Sequence, residues 1–167
     1  AVCFQRPATT VIYPLSLPDS LPIFKDRVCV YLMKRGNQFR IGKAAMNYGQ
    51  VGNGPGQRLR GEGADALWIL ALCDSGEEAF IEEQVVSATF GLPQLTFRAT
   101  VRSRCPQDEI DFAWHRIGDN TDRAIKCLES FGRDVSYPLL DSKDAAAGYR
   151  LKKPMVTQAC NLIDGCL

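Results

Sequence analysis

A few side chains in this sequence have the types and spacing to handle a phosphodiester. Tyr31 and Arg40 flank a turn signal, Lys34-Arg35-Gly36-Asn37, and share one face of a hairpin if that turn folds. A phenol can orient or deprotonate a water, and a neighbouring guanidinium can lower its pKa or bind phosphate. Arg58, with Arg60 behind it, stands near the start of a short helix, and the arginine fork suits bidentate phosphate contact. Lys43 is a further phosphate candidate. Glu83 falls, at about 100° per residue, among Ala79, Phe80, Val86, Ser87 and Phe90 on one helical stripe. A carboxylate there must be paired, metal-bound or at the edge of a cleft. A buried, oriented carboxylate suits Mg2+ or Mn2+, because hard cations take oxygen ligands. The competing role for Glu83 is a structural salt bridge to an arginine.

The elements that must position these residues are legible as patterns. Val28 to Met33 is a β-branched and aromatic run, and Gln38 to Gly42 a second strand. A two-residue loop at Arg35-Gly36 sets Val30 opposite Ile41, Leu32 opposite Phe39 and Tyr31 opposite Arg40. Moving the loop to Gly36-Asn37 leaves Tyr31 and Arg40 on their shared face, because side chains alternate with period two. Either way, one face of the hairpin packs on a core and the other shows a phenol beside a guanidinium, half in solvent. Ala44 to Gly56 reads as a loop, and Pro55 opens a helix carrying Arg58 and Arg60 before Gly61. Ala66 to Cys73 is a continuous apolar run, expected as a central strand buried on both faces. Ser75 with Glu78 forms a capping box for a helix running to Phe90. Gly91-Leu92-Pro93 stops it.

The totals set wide bounds. The chain has 167 residues, 46% hydrophobic, with a formal net charge of +1. That suits one compact domain with an appendage, and excludes a strongly basic nucleic-acid coat. Seven cysteines, no C-x-x-C pair and a single histidine argue against a structural zinc site. They fit a reducing, cytoplasmic compartment. No run is long enough to span a membrane, and no secretory signal is visible.

Taken in order, these elements resemble the GIY-YIG nuclease family, in its short phage-type branch. The residues that carry the resemblance are Val30-Tyr31-Leu32, then Arg40-Ile41-Gly42-Lys43, then Arg58 (or Arg60), then Ala79, Glu83, Ser87 and Phe90 at the spacing of the branch's final helix. The match covers about 70 residues, within 25–98. It departs at Cys29, where the first motif has glycine, and at Ser87, where the branch commonly has histidine. The resemblance implies an α+β fold, a small, mainly antiparallel sheet with flanking helices, followed by a helical extension. It implies a metal-dependent endonuclease acting on double-stranded DNA. Glu83 would hold Mg2+ or Mn2+, and Arg58 would clamp the phosphate. Tyr31 would orient or deprotonate the attacking water, with Arg40 beside it. A non-catalytic DNA-binding or interaction module on the same scaffold is the alternative.

The flanks are read separately. Residues 1–24 include three prolines between Pro14 and Pro22. They resemble a translated sequencing adapter and stand outside the fold reading. Phe97 to Cys105 carries Arg98 and Arg102, either a strand ending in a solvated turn or a DNA-backbone contact. Within 99–150, Gln107 to Ile117 and Asp119 to Phe131 read as helices, the second capped by Asn120 or Thr121. His115 reads as a partly exposed surface residue. Residues 151–167 are similar to a strand and turn of Hint (intein-splicing) domains. That similarity implies a homing endonuclease inside an intein.

Overall fold

The computed structural model describes residues 27–46, 54–100 and 105–142. The readings of 1–24, of Arg102 and of 151–167 fall outside these residues.

The hairpin comes first. β1 (Arg27–Arg35) pairs antiparallel with β2 (Gln38–Met46) across a two-residue turn, Gly36-Asn37. Gly36 takes a left-handed φ of 59°, which its missing Cβ permits. Its N–H donates to the Asp65 carboxylate at 2.7 Å. Of the two registers open to the sequence, this turn realises the second. Leu32 faces Ile41, Tyr31 faces Gly42, and Arg40 faces Met33. Tyr31 and Arg40 are diagonal neighbours on one face. Gly42 is needed there, because a Cβ on it would lie 2.6 Å from the Tyr31 ring.

α1 (Pro55–Glu62) follows, then β3 (Ala66–Cys73), antiparallel to β1 with a bulge near Leu70. α2 (Gly76–Phe90) begins as its capping box requires. Ser75 accepts from the Glu78 N–H, and Glu78 accepts from the Asp74 N–H. Gly91 ends the helix in the left-handed conformation. α3 (Gln107–Ile117) and α4 (Thr121–Ser130) come next, and β4 (Leu140–Asp141) adds to β3. The sheet order is β2-β1-β3-β4, antiparallel throughout. The fold is α+β.

Both faces of the sheet are covered. Val30, Leu32, Phe39, Ile41, Trp68 and Leu70 pack against α2 and α4 through Ala79, Val86, Ala124, Cys127 and Leu128. On the other face, Tyr31, Met33, Leu67 and Ile69 pack against Leu59, Phe97, Ile110 and Trp114. Full burial of a large apolar side chain contributes roughly 1.5–3 kcal/mol. Two such layers explain how so small a sheet is stable. Packing continues across the boundary expected at 98/99, since α3, α4 and β4 share the sheet with the hairpin.

Three expectations are corrected here. The face bearing Tyr31 and Arg40 is buried rather than half-solvated, because α1, α3 and Phe97 close over it. From Leu92 to Thr100 there is no strand. The segment makes one ladder-like bond, Ile41 N–H to the Pro93 carbonyl at 2.9 Å. Asn120 stands at the N-cap of α4, but its side chain does different work. Its amide accepts from the Phe39 N–H at 2.7 Å and donates to the Phe39 carbonyl at 2.8 Å. A side chain thus stands in for a neighbouring strand on the β2 edge, where unpaired backbone would invite aggregation.

Candidate active site

Tyr31, Arg40, Lys43 and Glu83 are linked by hydrogen bonding or electrostatics around β2. Arg40 is the hub. It is 5% exposed, and its guanidinium donates to the Glu62 carboxylate at 2.8 Å, the Tyr31 hydroxyl at 3.3 Å and the Gln94 carbonyl at 3.2 Å. Its Nε is sealed from solvent without a partner. Glu62, the last residue of α1, accepts from the Phe97 N–H with its second oxygen at 3.0 Å. One buried ion pair therefore ties β2, α1 and the 92–97 segment together. Sequence reasoning passed over Glu62 because Gly61-Glu62-Gly63 looks like a helix-ending turn. The helix instead runs on to Glu62 and closes on Gly63, at φ 62°. The signal that could have found Glu62 was Arg40 itself, a charge on a strand that needed a counter-charge.

Tyr31 is 1% exposed. Burial pushes its phenol above the ordinary tyrosine range, against the opposing pull of Arg40. Its proton is therefore held tightly, which suits an orienting donor better than a base. Arg58 is exposed on α1 and acts electrostatically on Tyr31. Arg60 is exposed on the same helix. Arg98 is exposed, and its guanidinium crosses Gly63 at the C-terminal end of α1. A cation there is favoured by the helix dipole.

Glu83 projects from α2 and is 9% exposed. Among the described residues its carboxylate makes no hydrogen bond and no ion pair. Burial raises its pKa, with Lys43 and Arg40 pulling the other way. Lys43 donates to the Gly76 carbonyl at 3.3 Å and lies over the Phe80 ring at 4.6 Å. Phe80, expected on the buried stripe, is 51% exposed and walls this corner. The salt bridge offered as an alternative role for Glu83 is absent among the described residues, since Arg40 has gone to Glu62. The arrangement is a chain of electrostatic neighbours, with Arg58 acting on Tyr31, Tyr31 bonded to Arg40, and Arg40 and Lys43 acting on Glu83. His115 is exposed and lies apart, in an open groove beside Asp111 and Asp119.

A desolvated carboxylate with no partner has coordination to spare for a hard cation. Mg2+ needs only one or two carboxylates and otherwise keeps waters or takes substrate phosphates. No group of three metal-ligating side chains occurs among the described residues, so Glu83 would be the main protein ligand. The residues present fit such an ion. A comparison with protein-family models, curated proteins and solved structures finds no match.

The state of Glu83 carries a pH signature. Its carboxyl lies above the ordinary glutamate value of 4.5, so the folded chain holds a proton that the unfolded chain has released. The stability from that proton is full below about pH 4.5 and is lost as pH rises through the folded value. Glu83→Gln is expected to flatten that part of the profile. Urea midpoints measured across a pH series check it, and an unchanged slope in the variant would move the effect to another group.

Proposed function

We propose that this chain is a metal-dependent DNA endonuclease of the GIY-YIG type, hydrolysing phosphodiester bonds in double-stranded DNA with Mg2+ or Mn2+. The observation that carries the reading is Glu83, a buried carboxylate with no partner among the described residues, near Lys43 and Arg40. One lysine and one arginine acting on a desolvated carboxylate suit a phosphate held next to a cation. Held by Glu83, the ion would supply Lewis acidity for a non-bridging phosphate oxygen and the leaving oxygen. Arg58, exposed on α1, clamps the phosphate and offsets charge in the transition state. Lys43 adds a second positive contact, and Arg60 and Arg98 extend the basic surface along the DNA backbone. Tyr31 keeps its proton and orients Arg40. The resemblance of residues 151–167 to Hint domains further supports a homing enzyme within an intein.

A second reading has one observation in its favour. Arg40 is committed to Glu62, and Tyr31 is almost fully covered. Those two residues would then be structural, and the chain would bind DNA without cutting it. Among the described residues no helix is long and apolar enough to cross a membrane, so neither reading places a spanning helix here.

The two readings part on one assay. The full chain, stripped with chelator, is incubated with supercoiled plasmid before and after Mg2+ is restored. The nuclease reading expects open-circle product only after the metal returns. A gel shift with no product at any metal concentration would favour the binding module.

A further inference from the structure

Phe80 is an aromatic ring left in water beside the proposed phosphate site. It stands on α2, is 51% exposed and belongs to neither core layer. Phe80, Ile81 and Val85 together give α2 an apolar solvent side. Of these, Phe80 lies under the Lys43 ammonium, which is 4.6 Å from the ring centroid. That ammonium is steadied by the Gly76 carbonyl, to which it donates at 3.3 Å. It also acts electrostatically on the Glu83 carboxylate. Phe80 and Glu83 are three positions apart on the helix, a spacing that makes neighbours on a helix surface. Lys43 thus ties the ring to the carboxylate that would hold the metal.

We propose that Phe80 is a stacking platform for an unpaired base next to the scissile phosphate, so that the preferred substrate is duplex DNA carrying a bulged or flapped nucleotide. This role rests on the nuclease reading of Glu83 and Lys43. A base inside a continuous duplex has both faces covered by its neighbours, whereas a base that leaves the stack has a face to offer. Aromatic side chains take such a face whatever the base, because every base has one. A phenyl ring has no donor or acceptor for a base edge, so it selects structure and not sequence. One nucleotide then supplies both contacts, its phosphate to Lys43 and its base to the ring. The ammonium keeps its attraction for the ring from one side while the base covers the other. An apolar side chain from a protein partner would cover the ring as well, but would bring no anion to Lys43.

The test is the affinity of the full chain for two labelled duplexes, one fully paired and one with a single bulged nucleotide, read by fluorescence anisotropy. Ca2+ replaces Mg2+, so that an oxygen-preferring cation is present during binding. The bulged duplex is expected to bind about fivefold tighter or more, the worth of one stacked base. Phe80→Ala should bring the two affinities together at an unchanged melting temperature. Phe80→Tyr should keep the preference, and Phe80→Leu, apolar but without a π face, should lose it. Equal binding of the two duplexes by the parent would overturn the proposal, as would a preference that survives Phe80→Ala or Phe80→Leu, or no binding to either duplex. Plasmid nicking with Mg2+ is scored separately. A chain that nicks but binds both duplexes alike keeps the nuclease reading and loses this role for Phe80. A chain with a Phe80-dependent preference that never nicks keeps the role and loses the nuclease reading.

Discussion

Glu62→Ala is expected to cost about 3–5 kcal/mol, because it leaves the Arg40 guanidinium buried without its counter-charge. Both side chains of the pair are almost fully covered, so water cannot replace the lost partner. The Phe97 N–H loses its acceptor in the same step, and an unmet buried donor costs roughly 1–3 kcal/mol where it is not relieved. Domains of this kind are stable by only about 5–15 kcal/mol in total, so the variant should sit at the margin of folding at ordinary temperature. The paired replacement Arg40→Met with Glu62→Leu is expected to recover most of the loss. Apolar residues of similar volume often match or exceed a buried ion pair in stability. Urea midpoints for the parent, the single variant and the pair decide it. A single-variant loss below about 1 kcal/mol, the worth of a solvent-exposed pair, would show that Arg40 and Glu62 do not meet in a closed interior.

Arg58→Ala should behave in the opposite way. The side chain is exposed and makes no hydrogen bond or ion pair among the described residues. Its removal should change stability by no more than about 0.5 kcal/mol. In the proposed reaction, however, it faces the charge that develops on the phosphate. Loss of one donor to that developing charge slows the chemical step by roughly 10²–10³-fold. Single-turnover nicking rates at saturating protein read this without interference from affinity. Arg58→Lys should recover only part of the rate, since an ammonium keeps the charge and loses the fork. If Arg60→Ala shows the large loss and Arg58→Ala does not, the clamp belongs to Arg60, the other arginine the sequence offered for it.

Much of this architecture was legible because local rules and tertiary packing agree. Alternation in Val28 to Met33, the glycine of the turn, the apolar run of β3 and the Ser75–Glu78 box each point to the element that forms. The span read for α3, Gln107 to Ile117, is the span the helix takes. The errors share one cause. They lie where a side chain or an irregular segment completes the sheet. Asn120 reads as a cap and instead pairs with Phe39. The run from Phe97 reads as a strand ending in a turn, yet up to Thr100 it forms none, and the segment before it meets the β2 edge through the Ile41–Pro93 bond. The solvated face was misjudged for the same reason, since a hairpin pattern cannot say that α1 and α3 will close over Tyr31. For the candidate site, Glu83 was visible as a carboxylate on an apolar stripe, and its burial and its lack of a partner among the described residues bear on that directly. Glu62 was invisible because its partner lies 22 residues away in sequence. Nothing local marks a glutamate between two glycines as the counter-charge of Arg40.

The most direct test of the central claim is plasmid nicking by the full chain beside its Glu83→Gln variant, both with Mg2+ and both shown to bind the DNA. Glutamine keeps the shape of the side chain and removes the anionic oxygen a hard cation prefers. Metal-dependent nicking is expected of the parent, and none above background of a variant that still binds. A variant that nicks as fast as the parent would contradict it, because the carboxylate on which the proposed chemistry rests would then have no part in the reaction.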